Sequence, residues 1–430
     1  MKKAILILSI LLIFILPLQS FAKKKKKNSV KKTQKTSIQY SQNSKKEEKP
    51  TFENIYAKSV ILIDYQTGQI LFEKNKKTPI PPASLTKLMT LHILYEKIKE
   101  GVVSKSSIIP ITKASWALKL PKKTARMFLE PGQKVTLFEL MKGLAIPSGN
   151  DAAVAIAYYL SGNVENFAQL MNQTAKKLGF KTLHFEDPAG LSENNQITAE
   201  EFALFCRYYI QSHPESLKEL HSLTELTYPL QENKPPFRKK AKPIRQFNNN
   251  NLLGRVEGVD GLKTGFINKS GFNIAVTAKR GNTRLIAVIL GVEGKSSREG
   301  IKKRELDARK LLDYGFHSFQ TTEIVFPKQP EIQVWKGQKN SLLVDMPEKI
   351  TLTLPKETIL PLVYQFHLKE KIEAPVEKGE EIGILVFYSK EKEIYRYSLK
   401  SSETIPAGNF FKKIFDNLIL FFSFLIHLFS

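Results

Sequence analysis

The chain has 430 residues, 66 Lys and Arg against 41 Asp and Glu for a formal charge of +25, and a single cysteine. Length and a 42% apolar content exclude a wholly disordered chain, and one cysteine excludes an internal disulfide framework. The charge does not point to a nucleic-acid groove, because eleven lysines against two glutamates crowd into residues 23–50, a stretch with no apolar period.

In chain order, Met1-Lys2-Lys3, the apolar run Ala4 to Leu18 and Ser20-Phe21-Ala22 have the charged, hydrophobic and small-residue regions of a secretory signal, predicted over residues 1–22 with cleavage after Ala22. The competing reading is an uncleaved anchor, which so short a core disfavours. Residues 23–53 read as a basic disordered linker. Its lysines either serve solvation or attract an anionic surface, worth about 1 kcal/mol each.

Residues 54–318 read as a folded domain. Ser59 to Asp64 and Gln69 to Lys74, joined at Gln66-Thr67-Gly68, form a predicted hairpin. Mostly helical sequence follows from Ser84 to Ile210, and Cys206 among Phe202, Leu204, Phe205 and Tyr208 reads as core packing. Asn273 to Lys279 and Leu285 to Val292 alternate as strands around the turn Arg280-Gly281-Asn282. The expected fold class is α+β, an antiparallel sheet with packed helices. Residues 319–406 then carry short alternating strands (Ile332 to Trp335, Ile350 to Leu354, Ile382 to Tyr388, Glu393 to Leu399), predicting a small all-β sandwich that acts as a spacer or, less simply, as a partner platform. Residues 409–430 form a predicted amphipathic helix with Lys412, Asp416, Ser423, His427 and Ser430 on one narrow stripe. No metal or nucleotide motif stands out among the seven histidines, His184 reads as structural, and no cofactor is expected.

Three short strings carry the chemistry: Ser84-Leu85-Thr86-Lys87, Ser148-Gly149-Asn150 and Lys263-Thr264-Gly265. Ser-x-x-Lys also starts at Ser20, Ser29 and Ser389, but only Ser84 precedes a strongly apolar helical run, behind the rigid Pro81-Pro82-Ala83. Residues three apart share a helix face, so Ser84 and Lys87 can touch. A helix N-terminus there also favours the negative charge that develops at an attacked carbonyl. Ser-x-Asn recurs at Ser41, Ser161 and Ser192; Ser161-Gly162-Asn163 falls where a helix ends, whereas Ser148 precedes a helix. Lys-Thr-Gly occurs once.

With their flanks, Pro82 to Lys87, Leu144 to Ala153 and Val259 to Gly265, these strings give the chain its resemblance to the low-molecular-mass penicillin-binding proteins of the D-alanyl-D-alanine carboxypeptidase type. Asp187-Pro188-Ala189-Gly190-Leu191 and Arg304 to Phe316 resemble the family as well. The resemblance implies a serine peptidase that removes the terminal D-alanine from peptidoglycan stem pentapeptides and binds β-lactams. Ser84 would be the nucleophile and Lys87 its base, with Ser148 relaying a proton, Asn150 holding the substrate amide and Lys263 supplying positive charge. Thr264, Gly265, Phe266 and Arg304 would bind substrate, the backbone N–H groups of Ser84 and Phe266 forming the oxyanion hole. Phe266-Ile267 departs from relatives that continue with His or Tyr and then Thr. No Glu-x-x-Leu-Asn segment lies between Asn150 and Lys263, which disfavours efficient penicillin hydrolysis. The resemblance further implies an exported protein on the outer face of the cytoplasmic membrane, held peripherally by the C-terminal helix. A D,D-endopeptidase and a catalytically silent wall-binding scaffold are the alternatives.

Overall fold

The structure, a computed structural model, describes residues 55–235 and 242–428. The signal and linker expected before residue 54 lie outside them.

Five antiparallel strands form the central sheet: β1 (Ser59–Asp64), β2 (Ile70–Lys74), β3 (Val259–Ile267), β4 (Gly271–Arg280) and β5 (Thr283–Val292). Their spatial order is β2-β1-β5-β4-β3, so the chain's first hairpin pairs with its last strand and leaves β3 at an edge. Side chains on a strand alternate between faces, and both faces here are buried. Ile61 and Ile63 of β1 and Ile286, Val288 and Leu290 of β5 enter one apolar cluster; Val60, Leu62, Leu285, Ala287 and Ile289 enter a second on the opposite face.

The first cluster is shared with helices α1 (Lys87–Lys99), α2 (Leu137–Ala145), α3 (Asn150–Ser161), α4 (Val164–Lys177) and α5 (Ala199–Ser212). Long helix α6 (Ser297–Ser318) covers the other face with Ala308, Leu311, Leu312 and Phe316. The result is helices on both sides of one sheet. Cys206 is fully buried in the first cluster. The stretch between α1 and α2 is not helical: Ile108–Pro110 pairs with Lys134–Thr136 in a small ribbon.

Strand Phe319–Val325 follows α6 without a linker and pairs with Lys349–Pro355. A four-stranded sheet, in the order Val344–Asp345, Lys392–Ser401, Glu381–Ser389, Val363–Leu368, shares a third apolar core with it. The last of these strands has no half-buried alternation, since five of its six residues are exposed at the sheet edge; the period that marks a strand in sequence is absent from it. The all-β domain touches the first through the β1–β2 turn, where Thr321 Oγ1 donates to buried Asp64 Oδ2 at 2.7 Å and the hydroxyls of Thr67 and Thr353 meet at 3.0 Å. Helix α7 (Phe410–Leu428) closes the described chain.

Candidate active site

Ser84 does not sit in the first turn of an α-helix but in a 3-10 turn, Ala83–Thr86, that leads into α1 at Lys87. Residues three apart eclipse in that tighter helix, and Lys87 Nζ lies 3.0 Å from Ser84 Oγ. The hydroxyl is half-buried while Lys87 is fully buried. The ammonium donates to Asn150 Oδ1 and to the Ala189 carbonyl, each at 2.7 Å. Burial lowers the Lys87 pKa from 10.5 to about 7, against the opposing pull of the Asp187 and Asp151 carboxylates. A lysine so placed can surrender its proton and take one from a neighbouring hydroxyl near neutral pH.

Two loops present these partners. Ser148 lies between α2 and α3 with φ 65°, a left-handed conformation that costs a non-glycine residue about 1 kcal/mol or more. Its hydroxyl is buried and has no hydrogen-bond partner among the described residues, which leaves it free for a reacting group. Asn150 begins α3, and the next residue, Asp151, ties the facing loop by accepting from Met127 N at 2.7 Å and Leu129 N at 3.0 Å. The second loop is built around Asp187. Its carboxylate accepts from the N–H groups of Ala189, Gly190, Leu191 and Ser192 and from Asn195 Nδ2, so that the Ala189 carbonyl turns toward Lys87. Gly190 has φ 82°, and a Cβ there would fall 1.9 Å from the Ala83 carbonyl, so only glycine lets this loop reach the Ser84 turn.

The third string runs along the edge strand β3. Lys263 is buried, donates to its neighbour's Thr264 carbonyl at 3.2 Å, and has its pKa held well below the ordinary value by burial and by the charges of Lys87 and Arg304. Thr264 is buried and Phe266 stands 46% exposed beside Phe272, ring centroids 4.3 Å apart. Gly265 is where the strand meets the serine turn: a Cβ would lie 2.7 Å from the Pro82 carbonyl and 3.0 Å from Ser84 N. Asn273 on β4 fixes the approach, its Nδ2 donating to the Pro81 carbonyl at 3.0 Å while its Oδ1 accepts from Gly291 N. Arg304 on α6 is buried, its Nε is unpaired among the described residues, and burial lowers its pKa to about 10. Two amines and a guanidinium, all desolvated, leave this region short of negative charge and suited to a substrate carboxylate.

The three strings therefore meet around one hydroxyl. The competing Ser161 string does not, since Ser161 is the last residue of α3 and Asn163 caps α4 by accepting from Asn166 N at 2.7 Å. Asp187 and Asp151 appear in the sequence only within flanks that resemble the family and were given no role; the signal of Asp187 is a carboxylate followed by several loop N–H groups, which reads as a turn, whereas Asp151 in the first turn of α3 has partners more than twenty residues upstream and leaves no local signal. The structure also gathers His92, Glu96 and His213 into one cluster, although no metal-ligand spacing was expected among the histidines.

A family model described as D-alanyl-D-alanine carboxypeptidase matches residues 42–294, more than half of the chain. The chain belongs to that family. A second model, the C-terminal domain of penicillin-binding protein 5, matches residues 319–407. The chain is 33% identical over 383 residues to the D-alanyl-D-alanine carboxypeptidase DacA of Escherichia coli, covering 87% of this chain and 89% of that one. It is 32% identical to DacF of Bacillus subtilis, covering 82% and 87%. Among solved structures, penicillin-binding protein 5 of Haemophilus influenzae superposes with a TM-score of 0.70 at 31% identity, over 83% of this chain and 99% of that one. Members of the family thus share both folded domains with this chain.

Proposed function

We propose that this family member is a serine-type D-alanyl-D-alanine carboxypeptidase that trims peptidoglycan pentapeptides and is acylated by β-lactams. The observation that carries the reading is the buried Lys87 amine, its pKa lowered to about 7, within 3.0 Å of the half-buried Ser84 hydroxyl. Neutral Lys87 takes the Ser84 proton as Oγ attacks the carbonyl of the penultimate D-alanine. Negative charge then grows on the carbonyl oxygen, and the N–H groups of Ser84 and Phe266 stabilise it, each worth roughly 3 kcal/mol. Gly265 supports this pairing by letting β3 approach Ser84 N. The C–N bond breaks, the leaving D-alanine gains a proton through Ser148, and its carboxylate is held by Thr264, Lys263 and Arg304. Asn150 holds the substrate amide. Water then attacks the Ser84 ester, returning the hydroxyl and releasing the shortened peptide.

The test is D-alanine release from a stem pentapeptide by the wild type and by Ser84→Ala, with cross-linked muropeptides alongside. Release from the pentapeptide that disappears in Ser84→Ala supports the reading. Turnover of cross-links alone would make the enzyme an endopeptidase, and no Ser84-dependent turnover would leave a silent scaffold.

The same reading places the protein outside the cytoplasm, delivered by the signal at residues 1–22 and resting on the outer face of the membrane through α7. Two observations support the anchor. Phe411, Ile414, Phe415, Leu418, Phe421 and Phe422 of α7 are exposed, whereas Asp416, its buried polar residue, accepts from Lys336 N at 2.6 Å. Among the described residues no helix is long and apolar enough to cross a membrane, so α7 would lie in the interface. The basic stretch 23–53 would add attraction to anionic lipids or wall polymers that salt weakens.

A further inference from the structure

His92 and Glu96 lie four residues apart on α1, so their side chains leave the same face one turn from each other, and His213 at the C-terminal end of α5 meets them there. His213 Nε2 is 2.8 Å from His92 Nδ1 and 3.6 Å from Glu96 Oε1, and one ligand atom from each residue falls within 4.8 Å of the others. Both imidazoles are buried, while the Glu96 side chain is 35% exposed and opens the cluster to solvent. The mechanism above uses none of the three.

We infer that His92, Glu96 and His213 bind a zinc ion, which clamps the end of α5 to the helix that carries Lys87. Two imidazole nitrogens and one carboxylate oxygen are a donor set zinc prefers, and bonds of about 2.0 Å in a tetrahedron space the ligand atoms about 3.3 Å apart. The observed separations straddle that value. The rings are also oriented by their walls: Tyr95 stacks on His213 at 4.8 Å and 15°, and Phe205 and Tyr208 meet His92 edge-on at 5.9 and 5.5 Å. Two ring nitrogens 2.8 Å apart share one proton, since a second would force N–H against N–H. Zinc binding needs the donor ring to carry its proton on its other nitrogen and the two rings to part slightly and turn so that both freed lone pairs aim at the metal, with Glu96 as the third ligand and water from the open side as the fourth.

The experiment titrates tag-free, full-length protein in detergent with Co²⁺ as a visible probe of the zinc position, followed by displacement with Zn²⁺. Expected are saturable ligand-field bands of tetrahedral intensity at one Co²⁺ per chain, erased by one equivalent of Zn²⁺, and a thermal midpoint raised by Zn²⁺. Glu96→Gln, a half-exposed change, should weaken Co²⁺ binding by about tenfold or more while penicillin labelling of Ser84 shows the fold intact; His213→Gln should abolish the bands. Absence of saturable binding to the wild type overturns the inference, as do bands unchanged by Glu96→Gln and His213→Gln, or a sulfur charge-transfer band that would place the ion on Cys206.

Discussion

At the scale of single residues, the chemistry turns on a lysine whose burial brings its pKa down to about 7. Lowering the pH protonates Lys87, whose pKa lies near 7, so acylation by a β-lactam should fall as pH drops through that value and level off above it. Stopped-flow acylation across pH tests this, and a rate that does not fall on the acid side would remove Lys87 as the base. Lys87→Arg keeps the charge but cannot deprotonate near neutrality, and should abolish acylation. Gly265 is the second pressure point. Gly265→Ala would drive a methyl against the Pro82 carbonyl and Ser84 N, shifting the strand from the serine turn. A displacement near 1 Å there should cost roughly 100-fold in acylation rate in protein that circular dichroism shows to be folded.

At the scale of elements, the catalytic turn is held by loops whose own stability rests on single carboxylates. Asp187 gathers four loop N–H groups and an amide, and hydrogen bonds to a charged acceptor contribute about 1.5 kcal/mol or more apiece. Asp187→Ala should therefore lower stability in urea by more than about 2 kcal/mol and depress acylation, because the Ala189 carbonyl no longer steadies Lys87. Wild-type acylation in that variant would deny the loop its positioning role. Much of this layer was legible beforehand: the hairpin at Ser59, the helix after Ser84, the break at Ser148 and the strand pair around Gly281 all carry periodicity or turn chemistry. Strand β3 was not read as a strand, the pattern being taken up only at Asn273 of β4, because Asp260, Gly261, Lys263 and Gly265 have weak strand propensity and are held extended by pairing with β4. The conformation of Ser148 was equally hidden, since a left-handed serine is imposed by tertiary contacts and leaves no mark in the string.

At the scale of the whole molecule, two domains and a terminal helix divide the labour. The all-β domain docks on the β1–β2 turn through Thr321 and Asp64, residues outside the strings that carry the chemistry. Helix α7 has Asp416 inward and its aromatics outward, the reverse of a helix whose apolar face packs on a core. Deleting residues 409–430 should abolish sedimentation with vesicles of neutral lipid, to which the basic stretch 23–53 is not drawn, and leave acylation unchanged; retained binding to them would move the anchor elsewhere. The stripe that predicted this amphipathicity was visible in sequence, but which side faces the protein was not, because that depends on Asp416 finding Lys336 N and Lys412.

The most direct test of the central claim is peptide mapping by mass spectrometry after exposure of the full-length protein to benzylpenicillin. The account predicts one penicilloyl adduct, on the peptide containing Ser84, absent from Ser84→Ala and from Lys87→Arg. An adduct on any other residue, or none at all in the folded wild type, would contradict it.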